Sequence, residues 1–126
     1  MKFVVAKNRR YFWPIKVRLP AEDAWRAGTV TEFTFKAQFE AIDSEESKAI
    51  KDQVANLPVE ERLEHQHDLL LRVVVGWDED IVDADNQPIP FSTEMLEELL
   101  RDQWVSLAFW RAWGEALTGD GARKGN

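Results

Sequence analysis

The chain has 126 residues, 44% of them hydrophobic, with six tryptophans, no cysteine and a net charge of −7. That length and composition point to one folded domain with a real core, and the lack of cysteine excludes a disulfide framework and thiol chemistry. No apolar run approaches the roughly 18 residues of a membrane span and no signal-like leader opens the chain, so a cytoplasmic protein with no membrane partner is expected.

Charge is unevenly placed. Residues 1–20 carry Lys2, Lys7, Arg9, Arg10, Lys16 and Arg18 and no acid, whereas the body beyond them is strongly acidic. An acidic body disfavours duplex nucleic acid. A basic end on an acidic body suits head-to-tail pairing with a neighbour, a basic partner, or simple solubility.

Lys2 to Ala6 reads as a short strand. From Tyr11, residues Tyr11, Trp13, Ile15, Val17 and Leu19 alternate with Phe12, Pro14, Lys16 and Arg18, the period of a half-buried strand. Pro14 places that strand at a sheet edge or a bulge. Pro20 to Gly28 is a connection with a helical turn near Asp23-Ala24-Trp25. Thr29 to Gln38 alternates again, with Phe33, Phe35, Ala37 and Phe39 on one side and β-branched residues in support. Asp43 starts a helix, with Glu46 placed for a capping box. That helix runs to about Ala55. Pro58 suits the first turn of the next, whose apolar stripe of Val59, Leu63, Leu70 and Val74 runs through residues 58–75. The β-branched run Val73-Val74-Val75 is poor helix material, so the end of this helix is its least defined boundary. Trp77 to Phe91 is an acidic, then proline-bearing loop.

Ser92 to Thr118 reads as one long helix. Ser92 caps it, Glu94, Glu97 and Glu98 complement its positive end, and Gly119 suits a left-handed C-terminal cap. Met95, Leu96, Leu99, Leu100, Leu107, Trp110, Trp113 and Leu117 are expected to form the core face. Val105, Phe109, Ala112 and Ala116, spaced i, i+4, i+7 and i+11, form a second apolar face, with Trp104 beside it. A helix apolar on two sides must be covered on both, here either by this chain or by another molecule. As a contact surface, the candidate residues are Trp104, Val105, Phe109, Ala112 and Ala116.

Other chemistries fit poorly. Counting from Asp83, the loop places Asp85, Gln87 and Glu94 at positions 3, 5 and 12 of a calcium-loop register, but Pro88 stands where a glycine must turn the chain. His65 and His67 are two apart, which points their rings to different sides of a helix rather than at one metal. There is no nucleophile elbow and no glycine-rich phosphate loop. No catalytic, cofactor-binding or metal residue is assigned, and a non-enzymatic protein is expected.

The run from Gly76-Trp77 through Asp78 to Asp83, Asp85-Asn86, Pro90-Phe91-Ser92 and the leucines Leu96, Leu99 and Leu100 resembles the tail assembly chaperones of long-tailed bacteriophages and prophages. Ile15-Lys16-Val17 and the segment Phe33 to Phe39 resemble them too, so the similarity spans about Tyr11 to Leu117. Asn86 stands where many of these proteins have glycine. The resemblance implies a non-enzymatic protein of the host cytoplasm. It would bind the tape-measure protein, keep it soluble, help recruit tail-tube subunits and self-associate as a homo-oligomer. A small acidic adaptor for another viral or host protein is the alternative. The expected architecture is α+β: a small N-terminal antiparallel sheet followed by about three helices in one domain over residues 1–118, with a flexible tail over 119–126.

Overall fold

A computed structural model describes residues 1–5 and 8–119. In chain order it contains β1 (Arg10–Pro20), a 3-10 turn (Ala24–Arg26), β2 (Val30–Glu40), α1 (Ser44–Asn56), α2 (Val59–Val73), β3 (Val74–Trp77), α3 (Thr93–Leu100) and α4 (Gln103–Thr118). The sheet is antiparallel in the order β1-β2-β3. The fold is α+β, as the sequence pattern indicates, but the described residues form four helices, and the third strand is β3 rather than the N-terminal segment.

The hairpin register follows from the alternation. Tyr11 pairs with Phe39, Trp13 with Ala37, Ile15 with Phe35 and Val17 with Phe33, so every odd residue of both strands lies on one face. Ile15, Val17, Ala37 and Phe39 are buried on it. Tyr11 stacks on Phe39 at 5.7 Å between ring centroids. Arg10–Glu40 (3.3 Å) and Arg18–Glu32 (3.6 Å) link the strands by exposed ion pairs, each contributing at most about 1 kcal/mol. Pro14 lies on β1, an edge strand, where the sequence places it.

Four local expectations are corrected. Residues 2–5 form no strand, and Phe3, Val4 and Val5 are exposed. A strand needs a ladder partner, and the Val4 carbonyl instead accepts from the Arg9 side chain. Ala6 lies outside the described residues, as do residues 120–126 of the tail. Asp43 does cap α1, accepting from the Glu45 N–H at 2.8 Å. Glu46, however, pairs with Arg72 of α2 instead of reaching back to close a capping box. The second helix ends at Val73, because Val74, Gly76 and Trp77 pair with β2 as β3. This is the outcome that β-branched residues favour once a strand edge is at hand.

The fourth correction has the largest consequence. The expected single C-terminal helix is two. Ser92 caps α3, accepting from the Met95 N–H at 3.1 Å, and Gly119 closes α4 in the left-handed conformation, both as read from sequence. Between them α3 ends at Leu100. Asp102 then turns extended and accepts from the N–H groups of Trp104 (2.9 Å) and Val105 (3.3 Å). It is the N-cap of a new helix.

The core joins the sheet face to Leu69, Leu70 and Val73 of α2, Leu96 and Leu100 of α3, and Ala108, Phe109, Ala112 and Trp113 of α4. Phe109 is 0% exposed, with its ring 5.7 Å from that of Phe35 on β2. Phe109→Ala is therefore expected to destabilise the domain by about 3–5 kcal/mol, read as a lowered urea midpoint at unchanged slope. Burial also raises the Tyr11 hydroxyl pKa above its ordinary 10.0. The unfolded tyrosine loses its proton first, so stability falls as pH rises from about 10 toward the folded value. Thermal melts above pH 10 should show that decline, and Tyr11→Phe should make it smaller.

Candidate partner-binding surface

The Asp102 break determines which side of α4 faces the core. Had the helix run on unbroken, residues a whole number of turns beyond Leu96 and Leu100 would be covered, Leu107 among them. The new cap shifts the buried face by about half a turn in a helix of 3.6 residues per turn. Ser106, Ala108, Phe109, Ala112 and Trp113 are buried instead. Small side chains at 108 and 112, four residues apart, suit close packing of α4 along the sheet.

The opposite side of α4 is open and apolar. Leu107, Trp110, Gly114 and Leu117 recur at i, i+3, i+7 and i+10, one face of a helix. Leu107 is 53% exposed and Leu117 47%. Trp110 is half-buried, with its ring 5.4 Å from that of the buried Trp113. Trp104, 45% exposed, stands at the start of the same helix. Gly114 is the unusual member. A Cβ built there meets nothing within 4 Å, so no neighbour among the described residues requires glycine, although glycine inside a helix costs about 0.5–1 kcal/mol relative to alanine. What a bare backbone at this position does allow is close approach by something outside.

Helix α2 borders this face. His67 Nε2 and Ser106 Oγ are 2.8 Å apart, which fastens α2 to α4 and satisfies a serine that is 1% exposed. Leu63, one turn before His67 and therefore on its side of α2, is 49% exposed. Glu60 and Glu64 share that side and are exposed. Exposed apolar side chains on both helices, and exposed acids on α2, thus lie on the sides of α2 and α4 that flank the His67–Ser106 contact. Leu107 and Leu117 are already about half covered by this chain, so burying the rest would contribute about 0.8–1.5 kcal/mol for each side chain. A micromolar complex requires about 8 kcal/mol after the costs of association, so polar contacts at the border are needed as well.

The residues nominated from sequence divide. Trp104 is exposed, Val105 and Ala116 are partly buried, and Phe109 and Ala112 are buried against this chain's own sheet and helices. Of the two covers that the sequence leaves open for this face, this chain itself supplies the one over Phe109 and Ala112. Leu107 and Leu117, expected in the core, are exposed instead, while Trp110 is partly buried against the core and borders them. The missed signal was Asp102 in mid-pattern, where its carboxylate competes for backbone N–H groups.

The remaining motifs have local partners. Asp83 Oδ1 accepts from the N–H groups of Asp85 (2.8 Å) and Gln87 (3.0 Å), closing a tight turn in which Asn86 is left-handed, at φ 63°. His65 is exposed on α2, while His67 is engaged with Ser106. Trp77 Nε1 donates to the Ile89 carbonyl at 2.7 Å and its ring meets Phe91 edge-on, holding the long loop to β3. Among the described residues, no helix is long and apolar enough to cross a membrane.

Two substitutions separate this face from the core. Gly114→Ala is expected to raise stability by about 0.5–1 kcal/mol, read by urea denaturation. Leu107→Asp should leave stability within about 0.5 kcal/mol, as surface changes do, while lowering the fluorescence of a bound hydrophobic dye.

Compared with known proteins, the chain matches no family model, no curated protein and no solved structure.

Proposed function

We propose that this chain is a non-enzymatic assembly chaperone of the kind its sequence resembles. It holds amphipathic helices of a tape-measure protein against the open face of α4. In doing so it keeps that protein soluble in the cytoplasm of a bacterial host and helps bring tail-tube subunits to it. The observation that supports this reading is the apolar stripe Leu107, Trp110 and Leu117 with Gly114 between them. It has the i, i+3, i+7 spacing by which one amphipathic helix packs on another, and Gly114 lets the second helix approach closely. Self-association, which belongs to the same reading, would set the basic hairpin of one copy against the acidic helices of the next.

Co-expression with a tape-measure protein tests the proposal. The wild-type chain should move that protein into the soluble fraction and co-purify with it. Leu107→Asp should lose both effects while remaining folded. If the soluble fraction is unchanged by the wild-type chain, the α4 face serves another partner and the acidic-adaptor reading takes its place.

A further inference from the structure

The charge around the open face specifies the partner further. Residues 43–118 hold 18 carboxylates against six lysines and arginines, a net charge of −12. Several of these carboxylates lie on α2, the helix whose His67 meets α4. Glu60 and Glu64 lie on the same side of α2 as Leu63 and His67, with Glu61 and Asp68 adjacent, and all four acids are exposed. Among the described residues none of the four takes part in an ion pair, whereas Glu32, Glu40, Glu46 and Glu98 each do. On α4 itself the only charges are Arg111 and Glu115.

We infer that the occupant of the α2–α4 seam is an amphipathic helix carrying lysines or arginines beside its apolar stripe. Its apolar side would cover Leu63, Leu107, Trp110 and Leu117, and its basic border would lie over Glu60 and Glu64. The inference rests on the helix-binding reading above and adds the chemical class of the helix. Charge also argues against a second copy seated on this same face. A two-fold contact would set each patch against its own image, placing the α2 carboxylates of both copies beside one another. A basic helix neutralises them instead, and steers its own approach.

The test uses the full chain and two fluorescein-labelled synthetic peptides with the same leucine stripe, one flanked by lysines and the other by glutamates. Binding is followed by fluorescence anisotropy at low salt and again at 1 M salt. The lysine-flanked peptide should bind at least about tenfold more tightly, with the margin shrinking at high salt as screening requires. Leu107→Asp should abolish binding. Glu60→Lys with Glu64→Lys should reverse the preference, and Glu60→Gln with Glu64→Gln should reduce it, with unchanged thermal melts showing that both variants are folded. Equal binding of the two peptides would overturn the charge inference and leave helix binding standing. Binding of neither would overturn both. Binding indifferent to Leu107→Asp would place the peptide elsewhere and overturn the assignment to this seam. A dimer in light scattering that Leu107→Asp dissolves would give the face to a second copy, which also overturns it.

Discussion

The carboxylate of Asp102 accepts two backbone N–H groups at the start of α4, and the arrangement of the helical half depends on it. An N-cap of this kind contributes about 1 kcal/mol, a small energy beside that of a core. Its effect on geometry is much larger. By ending one helical phase and starting another, it directs Phe109 and Trp113 inward and leaves Leu107 and Leu117 in water. Without the break, α3 and α4 would continue as one rod, and the sheet would meet a different set of side chains.

Once that phase is set, the sheet and α4 constrain each other. The hairpin presents Ile15, Val17, Ala37 and Phe39 on one face. Helix α4 answers with Ala108 and Ala112 beside Phe109. Alanines keep the helix close while Phe109 fills the space toward Phe35, as dense packing requires. The His67–Ser106 contact then fixes α2 against α4. The proposed binding face is thus the outer side of the same helix that closes the core. Substitutions at neighbouring positions of α4 have opposite meanings for that reason: Phe109 reports on folding and Leu107 on surface chemistry.

Charge is segregated in the same way. The outward face of the hairpin carries Arg10, Lys16, Arg18 and Lys36 and answers part of this charge internally through Glu32 and Glu40. Among the described residues, most acids of the helical half take part in no ion pair. On the proposed function, exposed acids on α2 and exposed leucines on α4 would give the surface both a driving force for burial and a means of choosing among apolar helices, which apolar area alone does not provide.

Much of this was determined locally and is visible in the sequence. The alternation from Tyr11 and from Thr29 specifies a hairpin and its inward face, because strand side chains repeat every two residues. Asp43, Ser92 and Gly119 mark helix ends through short-range hydrogen bonds and backbone conformation. The presence of two apolar sides on the last helix is also a property of the sequence alone. Which side is covered is not. That depends on a half-turn offset at Asp102 and on which face the sheet meets, and helical periodicity beyond a break carries no memory of the phase before it. The fate of Val74 to Trp77 was likewise settled only by the edge of β2, since a run of valines accepts a helix end or a strand until a ladder partner is near. Spacing decides how the side chains of one element are distributed around it; contact between elements decides which of them meet water.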